Sequence, residues 1–323
     1  MSFFRLLQEH GAQEAAGHAA DTASHAAEAA AHGAEAAGHA AKESLSTLSD
    51  IPEFIEHHLA DTRELEFAGG HLDLSRWAMD PIHIGPLSID LSPTRQLLVM
   101  LAAGLLVILL FTWVARRLRA AGPERAPSGL ANAMEAMVLF FRDDVVRPNI
   151  GHGADRYTPF ILTVFFFILF MNLAGLTPLG VTPTGNLSVT AGLALIAFVV
   201  IEVSGMLALG PAGYARTIFY LPPGLPTLMK PIMLVIMAPV EFLGKLTKPF
   251  ALAIRLFANM MAGHILILAL VGIILVSKSF AVGIGAAAAT SVLMILELFV
   301  AFLQAYIFAM LTSVFIGLIR HAH

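Results

Sequence analysis

Five long apolar stretches, separated by short polar or proline-rich breaks, set the plan of this chain. They cover residues 96–114, 159–176, 188–209, 232–276 and 281–319. An apolar run of about 18 residues or more is long enough to cross a bilayer as a helix. The first is interrupted only by Gln96 and Thr112, and Trp113 at its end reads as an interfacial anchor. The last two exceed what one crossing needs. About 39 residues of helix over 281–319 would measure ~58 Å against a hydrocarbon core of ~30 Å, so the helix must tilt strongly or bend. The same holds for 232–276, where Pro239 and Pro249 predict a break or bend. The short turn at 277–280 joins these two into an antiparallel hairpin.

Between the first two stretches the period changes. Over residues 129–147, Leu130, Met134, Met137, Phe141 and Val145 recur at helical spacing, with Glu135, Arg142 and Asp143 between them. This predicts an amphipathic helix lying along the membrane face, a position compatible with packing on protein. The pattern therefore predicts an all-α, polytopic membrane protein: five transmembrane helices, one interfacial amphipathic helix, and a final pair that is long and strongly tilted. An uncharged loop at 177–187 carries Pro178, Pro183 and Gly185, and the loop after the third stretch carries Pro211, Pro222, Pro223 and Pro226.

Ahead of the first stretch, residues 43–95 are mixed, with turn signals at Asp80-Pro81, Gly85-Pro86 and Ser92-Pro93. Glu53, Glu56, His57, His58 and Asp61 read as the polar face of a short helix. Residues 11–42 repeat with a period of seven: Glu14, Asp21, Glu28 and Glu35, each followed four residues later by His18, His25, His32 or His39. That spacing puts each acid and its histidine on one helix face. Alanine favours helix there, while Gly11, Gly17, Gly33 and Gly38 weaken it. The chain thus divides into an extramembrane N-terminal segment, 1–80, and a membrane domain, 81–323.

Composition agrees. The chain has 323 residues, of which 57% are hydrophobic and 13% charged, and its mean hydropathy is +0.78. Soluble domains carry roughly 25% charged residues. A net charge of −4 gives no argument for nucleic acid, and the absence of cysteine excludes disulfides and thiolate chemistry. No metal or cofactor site is expected. No GxxxxGK[ST] loop occurs, so no nucleotide site of that kind is expected.

Basic residues predict the orientation. Arg116, Arg117, Arg119, Arg125, Arg142, Arg147 and Arg156 follow the first stretch; Arg216, Lys230, Lys245 and Lys248 follow the third; Arg320 follows the last. The other side holds only Arg76, Arg95 and Lys278 near the membrane. The N-terminus is therefore placed outside and the C-terminus in the cytoplasm.

The candidate chemistry lies in the polar residues within the apolar stretches. An arginine at the centre of a membrane helix costs ~2.5–3.5 kcal/mol on the insertion scale, so Arg255 calls for a partner or a task. Asn259 shares its helix face, and Glu241, fourteen residues earlier, lies near that face ~21 Å along the axis. His264 points roughly the other way, ~14 Å toward the outside. On the last helix Glu297 and Gln304 share a face. Counting from the turn puts His264 and Glu297 at matching depth, where they could pair. A carboxylate on one side of Arg255 and a His/Glu pair on the other suggest two offset polar entries. Histidine and glutamate relay protons; arginine, always charged, blocks a continuous wire. Asn172 and Glu202 are weaker channel candidates, with Glu202 near a helix end where it could snorkel or cap. The structural alternatives are ion pairing for Arg255, interfacial placement for Glu241 and interhelical hydrogen bonding for Asn259 and Gln304.

The run Arg255-Leu256-Phe257-Ala258-Asn259-Met260-Met261-Ala262-Gly263-His264 resembles the signature of the a subunit of F-type ATP synthases. Glu241 to Pro249 resembles the segment before that arginine, and Leu303-Gln304-Ala305-Tyr306-Ile307-Phe308 resembles part of the final helix. Asn172-Leu173-Ala174-Gly175-Leu176-Thr177-Pro178 and Thr182 to Thr190 are similar to the middle spans. The likeness covers roughly residues 81–319. It implies the five-span fold with a tilted hairpin, and an Arg255 that faces a rotating c-subunit ring. It also implies an outer half-channel lined by Asn259, His264, Glu297 and Gln304, and a cytoplasmic one lined by Glu241. The family carries glutamate or histidine at the positions of His264 and Glu297. The implied partners are the c ring, the b subunits, the soluble catalytic head and membrane lipid. The implied location is a bacterial inner membrane, and the implied role is non-catalytic. A secondary transporter and a membrane scaffold are the other readings. A transporter would predict an internal repeat with paired broken helices, and the two halves differ.

Overall fold

The computed structural model describes residues 50–59, 64–67, 70–77, 82–84, 87–89, 92–121, 128–177, 180–219, 229–277 and 279–321. The repeat at 11–42 lies outside them. Two compact units are distinguished. The smaller includes helix α1 (Ile51–Leu59) and residues 268–290, the turn ends of the hairpin helices. Ile51 and Phe54 are the buried residues of α1, and Glu53 and Glu56 on its other side are exposed, as the spacing predicted. Ile51 rests close to Gly272, where a Cβ would lie 3.2 Å from its branched carbons.

Four short strands precede the first span: β1 (Glu64–Phe67), β2 (Gly70–Asp73), β3 (Ile82–Ile84) and β4 (Leu87–Ile89). β3 and β4 pair antiparallel, Ile82 opposite Ile89 and Ile84 opposite Leu87, on either side of Gly85-Pro86. Among the described residues, short β pieces thus precede otherwise helical elements.

The larger unit holds most of the membrane part. Its spans are α2 (Arg95–Ala121), α5 (Thr158–Gly175) and α6 (Leu187–Ile218), with most of α7 (Lys230–Ser277) and α8 (Phe280–Arg320). Among the described residues, five helices are long and apolar enough to cross a membrane. The amphipathic segment is α3 (Leu130–Phe140), a π-helical turn over Phe141–Val146, and α4 (Arg147–Ile150). Met134, Phe141 and Val145 of the expected face are buried, but Leu130 is exposed. The wide turn precedes Pro148, which lacks an N–H and crowds the carbonyl four residues back, so the looser winding absorbs the misfit.

α5 is apolar on every face and is the most enclosed span, 61% buried over its apolar window against 22% for α2. Its rings tie the unit together. Phe166 meets Phe111 of α2 edge-on at 5.1 Å, and Phe165 meets Phe141 at 4.5 Å. Phe141 in turn meets Tyr306 of α8 at 6.0 Å. Such aromatic contacts add ~0.5–1.5 kcal/mol each beyond the area they bury.

Of the break or bend expected at two prolines, no break is found. α7 keeps helical winding through Pro239 and Pro249 for 48 residues. Freed backbone groups in a membrane helix are satisfied by neighbouring helices and local adjustment, so proline need not end it. α6 instead continues past residue 209 through a kink at Gly210, whose φ of 71° admits glycine at little cost, followed by Pro211. Residues 211–218, read as loop from their proline and glycine, are a redirected helical end. At ~72 Å and ~61 Å, α7 and α8 must both slant to stay within a ~30 Å hydrocarbon core.

The C-terminal end of α8 lies against backbone. A Cβ at Gly317 would strike the carbonyl of Asn149, just after the π turn. Gly317→Ala therefore forces one element to move. The expected cost is ~1–3 kcal/mol or more, because backbone cannot yield as a side chain does. Thermal unfolding and recovery of assembled complex from membranes would read it; unchanged values would show that the contact is not tight.

On the exposed side of the π turn Arg147 grips Asp155 with two bonds of 2.9 and 3.0 Å and Asp143 with one of 2.7 Å. Arg142 also binds Asp143. These guanidinium bonds hold both carboxyls below the usual carboxylate range. Their contribution is present above the ordinary unfolded values and is lost as pH falls through the depressed folded ones. The pairs are exposed, so the expected effect is small. Arg147→Gln should lower the neutral plateau of a pH–stability curve slightly and leave its acid end unchanged, so that the acid limb becomes shallower.

Candidate functional site

Two cross-contacts fix the hairpin in the larger unit. Asn259 Nδ2 donates to Gln304 Oε1 at 2.9 Å, and Glu297 lies against Gly263. As numbers rise on α7 they fall on α8, so the helices are antiparallel. Arg255 is one turn from Asn259, on the exposed face of α7. Among the described residues no ion pair or hydrogen bond of its guanidinium is recorded. The structural ion pair considered for it is therefore not found there.

Toward the turn end, polar groups converge from four elements. The Glu297 carboxyl is buried, and a Cβ on Gly263 would collide with it, so only glycine leaves it room. Neither of its oxygens has a hydrogen-bond partner among the described residues. His264 is engaged elsewhere: its ring nitrogens lie 3.1 and 3.4 Å from Thr182 Oγ1. The two side chains expected to pair are thus neighbours on one side of the hairpin but are not bonded. Matching depth does not ensure matching direction, and His264 turns toward the 180–186 loop. Gly175 of α5 makes space for Thr182 and for the His264 ring, which a Cβ would approach to 2.9 Å.

Asn172 is fully buried, donates to the Ala301 carbonyl at 3.2 Å and accepts from Thr184 Oγ1 at 2.6 Å. Asn186 caps α6 through Ser188 N and donates to Gln96 Oε1 at 2.7 Å. A strip of amides and hydroxyls thus leads from the 180–186 loop to the hairpin. Thr182, Thr184, Asn186 and Gln96 were not singled out as site residues. Threonine and asparagine beside Pro183 and Gly185 look like ordinary turn chemistry, and no local signal marks them as lining anything.

Beyond Arg255 in the other direction lies a cavity of about 210 Å³. Glu202 of α6 and Glu241, Lys245 and Lys248 of α7 line it, with Phe315 and Ile319 of α8 as apolar wall. A close approach of α6 and α8 at Gly205, which Ile319 covers, borders it. Glu241 is exposed and Glu202 largely buried. Glu202 accepts from the Tyr214 hydroxyl and faces Lys245 at 3.6 Å. The structure therefore joins Asn259 to Gln304 one helical turn from Arg255, sets Asn172, His264 and Glu297 on one side, and Glu202 and Glu241 on the other.

The fold and these groups define a class: a polytopic helical membrane protein with ionisable side chains on both sides of an intramembrane arginine that has no ionic partner among the described residues. Residues 97–317 match the ATP synthase A chain family. ATP synthase subunit a of Chloroherpeton thalassium is 43% identical over 263 residues, covering 81% of this chain and 75% of its own length. The same subunit of one Chlorobium phaeobacteroides strain is 42% identical over 267 residues, covering 82% and 75%. That of Anaeromyxobacter dehalogenans is 43% identical over 278 residues, covering 82% and 70%. This chain belongs to the ATP synthase A chain family, a membrane component of ATP synthesis and proton transport. It works within a complex of ATP synthase subunits.

Proposed function

We propose that this chain is the stationary subunit through which protons reach and leave the carboxyls of a rotating c-subunit ring. Arg255 carries the reading: a permanent cation near the middle of a long membrane helix, exposed on its face, with no recorded ionic partner among the described residues. The outer path runs by Asn172, Glu297, His264, Gln304 and Asn259, the cytoplasmic path by Glu241 with Glu202 beside it. The N-terminus lies outside and the C-terminus in the cytoplasm of a bacterial inner membrane. The partners are the c ring, the b subunits and the catalytic head, and the chain itself catalyses no bond change.

A proton entering from outside neutralises a ring carboxylate. The neutral form can then face lipid, because desolvation falls heavily on the charged form. After nearly a full turn the carboxyl loses its proton toward Glu241. Arg255 meets the ionised carboxylate and keeps the two paths apart, since a guanidinium does not pass a proton on. Each proton crossing ~100 mV releases ~2.3 kcal/mol, so several are needed for each ATP. The Glu297 carboxyl supports the relay, as no ion pair among the described residues fixes its charge.

Proton flux into vesicles holding this chain, with and without the c ring and catalytic head, tests the reading. Flux should require the ring and be driven by ATP hydrolysis only with the head. Flux from the chain alone would indicate a transporter, and coupled flux indifferent to Arg255 would indicate a scaffold.

A further inference from the structure

Lys245 is the most deeply enclosed of the charged groups that line the cavity beside Glu202. It lies within an apolar stretch, and its side chain is 8% exposed. Its Nζ donates to Thr217 Oγ1 at 3.1 Å, faces Glu202 Oε2 at 3.6 Å and sits 4.3 Å from the centre of the Tyr214 ring. Tyr214 donates its hydroxyl to the same Glu202 oxygen. The kink at Gly210-Pro211 builds this cluster. Glu202 and Tyr214 are twelve residues apart, and a straight helix would separate them by ~18 Å. Burying an ammonium is costly unless it is paired and hydrogen-bonded, and here an anion, a hydroxyl and an aromatic face all serve it.

We propose that Lys245 is a positioning residue that ties down Glu202, so that Glu241 is the carboxyl of this cavity that exchanges protons with the ring. The inference rests on the channel reading above and refines it. Glu202 and Lys245 form a neutral, immobile pair on the wall, and Tyr214 closes the remaining approach to the same oxygen. Glu241 faces the same cavity without a recorded bond among the described residues. The other charged group there is Lys248, which rests over the Phe315 ring at 5.3 Å. From α8 only apolar residues face the cavity, and Arg320 is held by the His152 carbonyl at 2.7 Å and over the Tyr157 ring. Arg216 is exposed. With the Lys245 charge removed by substitution, Glu202 is released as a second carboxyl beside the exit.

The test is the pH profile of ATP-driven proton pumping by the whole complex in vesicles, expressed per assembled complex. Lys245→Gln should lower pumping roughly tenfold, the scale of coupling within one ionic network, and add an inflection to the profile. The double change Lys245→Gln with Glu202→Gln should remove that inflection and recover most of the rate, and Lys245→Arg should keep the original shape. Glu202→Gln alone should lower the rate without deleting an inflection. A Lys245→Gln profile of unchanged shape, or an inflection lost in Glu202→Gln, overturns the inference. Either result would leave the channel reading intact, whereas absence of ring-dependent pumping in the unaltered complex would remove that reading first.

Discussion

Replacing Arg255 with alanine is expected to stop proton-driven ATP synthesis by the assembled complex, while passive proton flow across the same membranes persists or rises. Removing one preorganised electrostatic group from a low-dielectric site typically costs on the order of 10²–10³ in rate. Arg255 lies on the exposed face of α7, one turn from the Asn259–Gln304 bond, with no recorded partner among the described residues. The substitution therefore breaks no recorded ion pair within the chain, and loss of function should come without loss of assembly. Two measurements decide it: ATP synthesis under an imposed gradient, and dye-reported leak in the same vesicles. Normal synthesis by the alanine variant would end the proposed role. Arg255→Lys tests geometry as well as charge, because a point ammonium lacks the planar fork that engages a carboxylate.

The second large effect is expected at Glu297. Glu297→Gln removes the one carboxyl buried beside Gly263 and should slow coupled pumping about tenfold or more, at the low end of what a positioned proton-transfer group contributes because water can partly substitute. The pH dependence of pumping should change along with its rate. Gly263→Ala makes a sharper test. The carboxyl would remain, but the new methyl would take its place against α7. Pumping should fall nearly as far as in Glu297→Gln, and combining the two should add little, since both disable one carboxyl. A Gly263→Ala complex that pumps normally would show that Glu297 is free to work from elsewhere. Its assembly has to be verified separately, as forcing a methyl into packed space costs ~1–3 kcal/mol.

The sequence by itself determined the number of spans, the two overlong final helices and the candidates Arg255, Asn259, Glu297 and Gln304. Their signals are local: apolar run length, helical period, and a charge too costly to keep in lipid without cause. Tertiary structure alone decided which polar groups meet. His264 and Glu297 have matching depths, but side-chain direction sends one to Thr182 and the other to Gly263. Lys245 looks in sequence like an interfacial basic residue. It becomes a buried partner of Glu202 because Gly210, at a φ open to glycine, folds the end of α6 back on itself. Prolines 239 and 249 look like helix breakers and do not end the helix, which a membrane segment tolerates where its surroundings take up the freed backbone groups. Burial within a helix is periodic and so can be read along the chain. Contact between helices depends on crossing geometry and on which glycines admit a neighbour, and neither has a local signature.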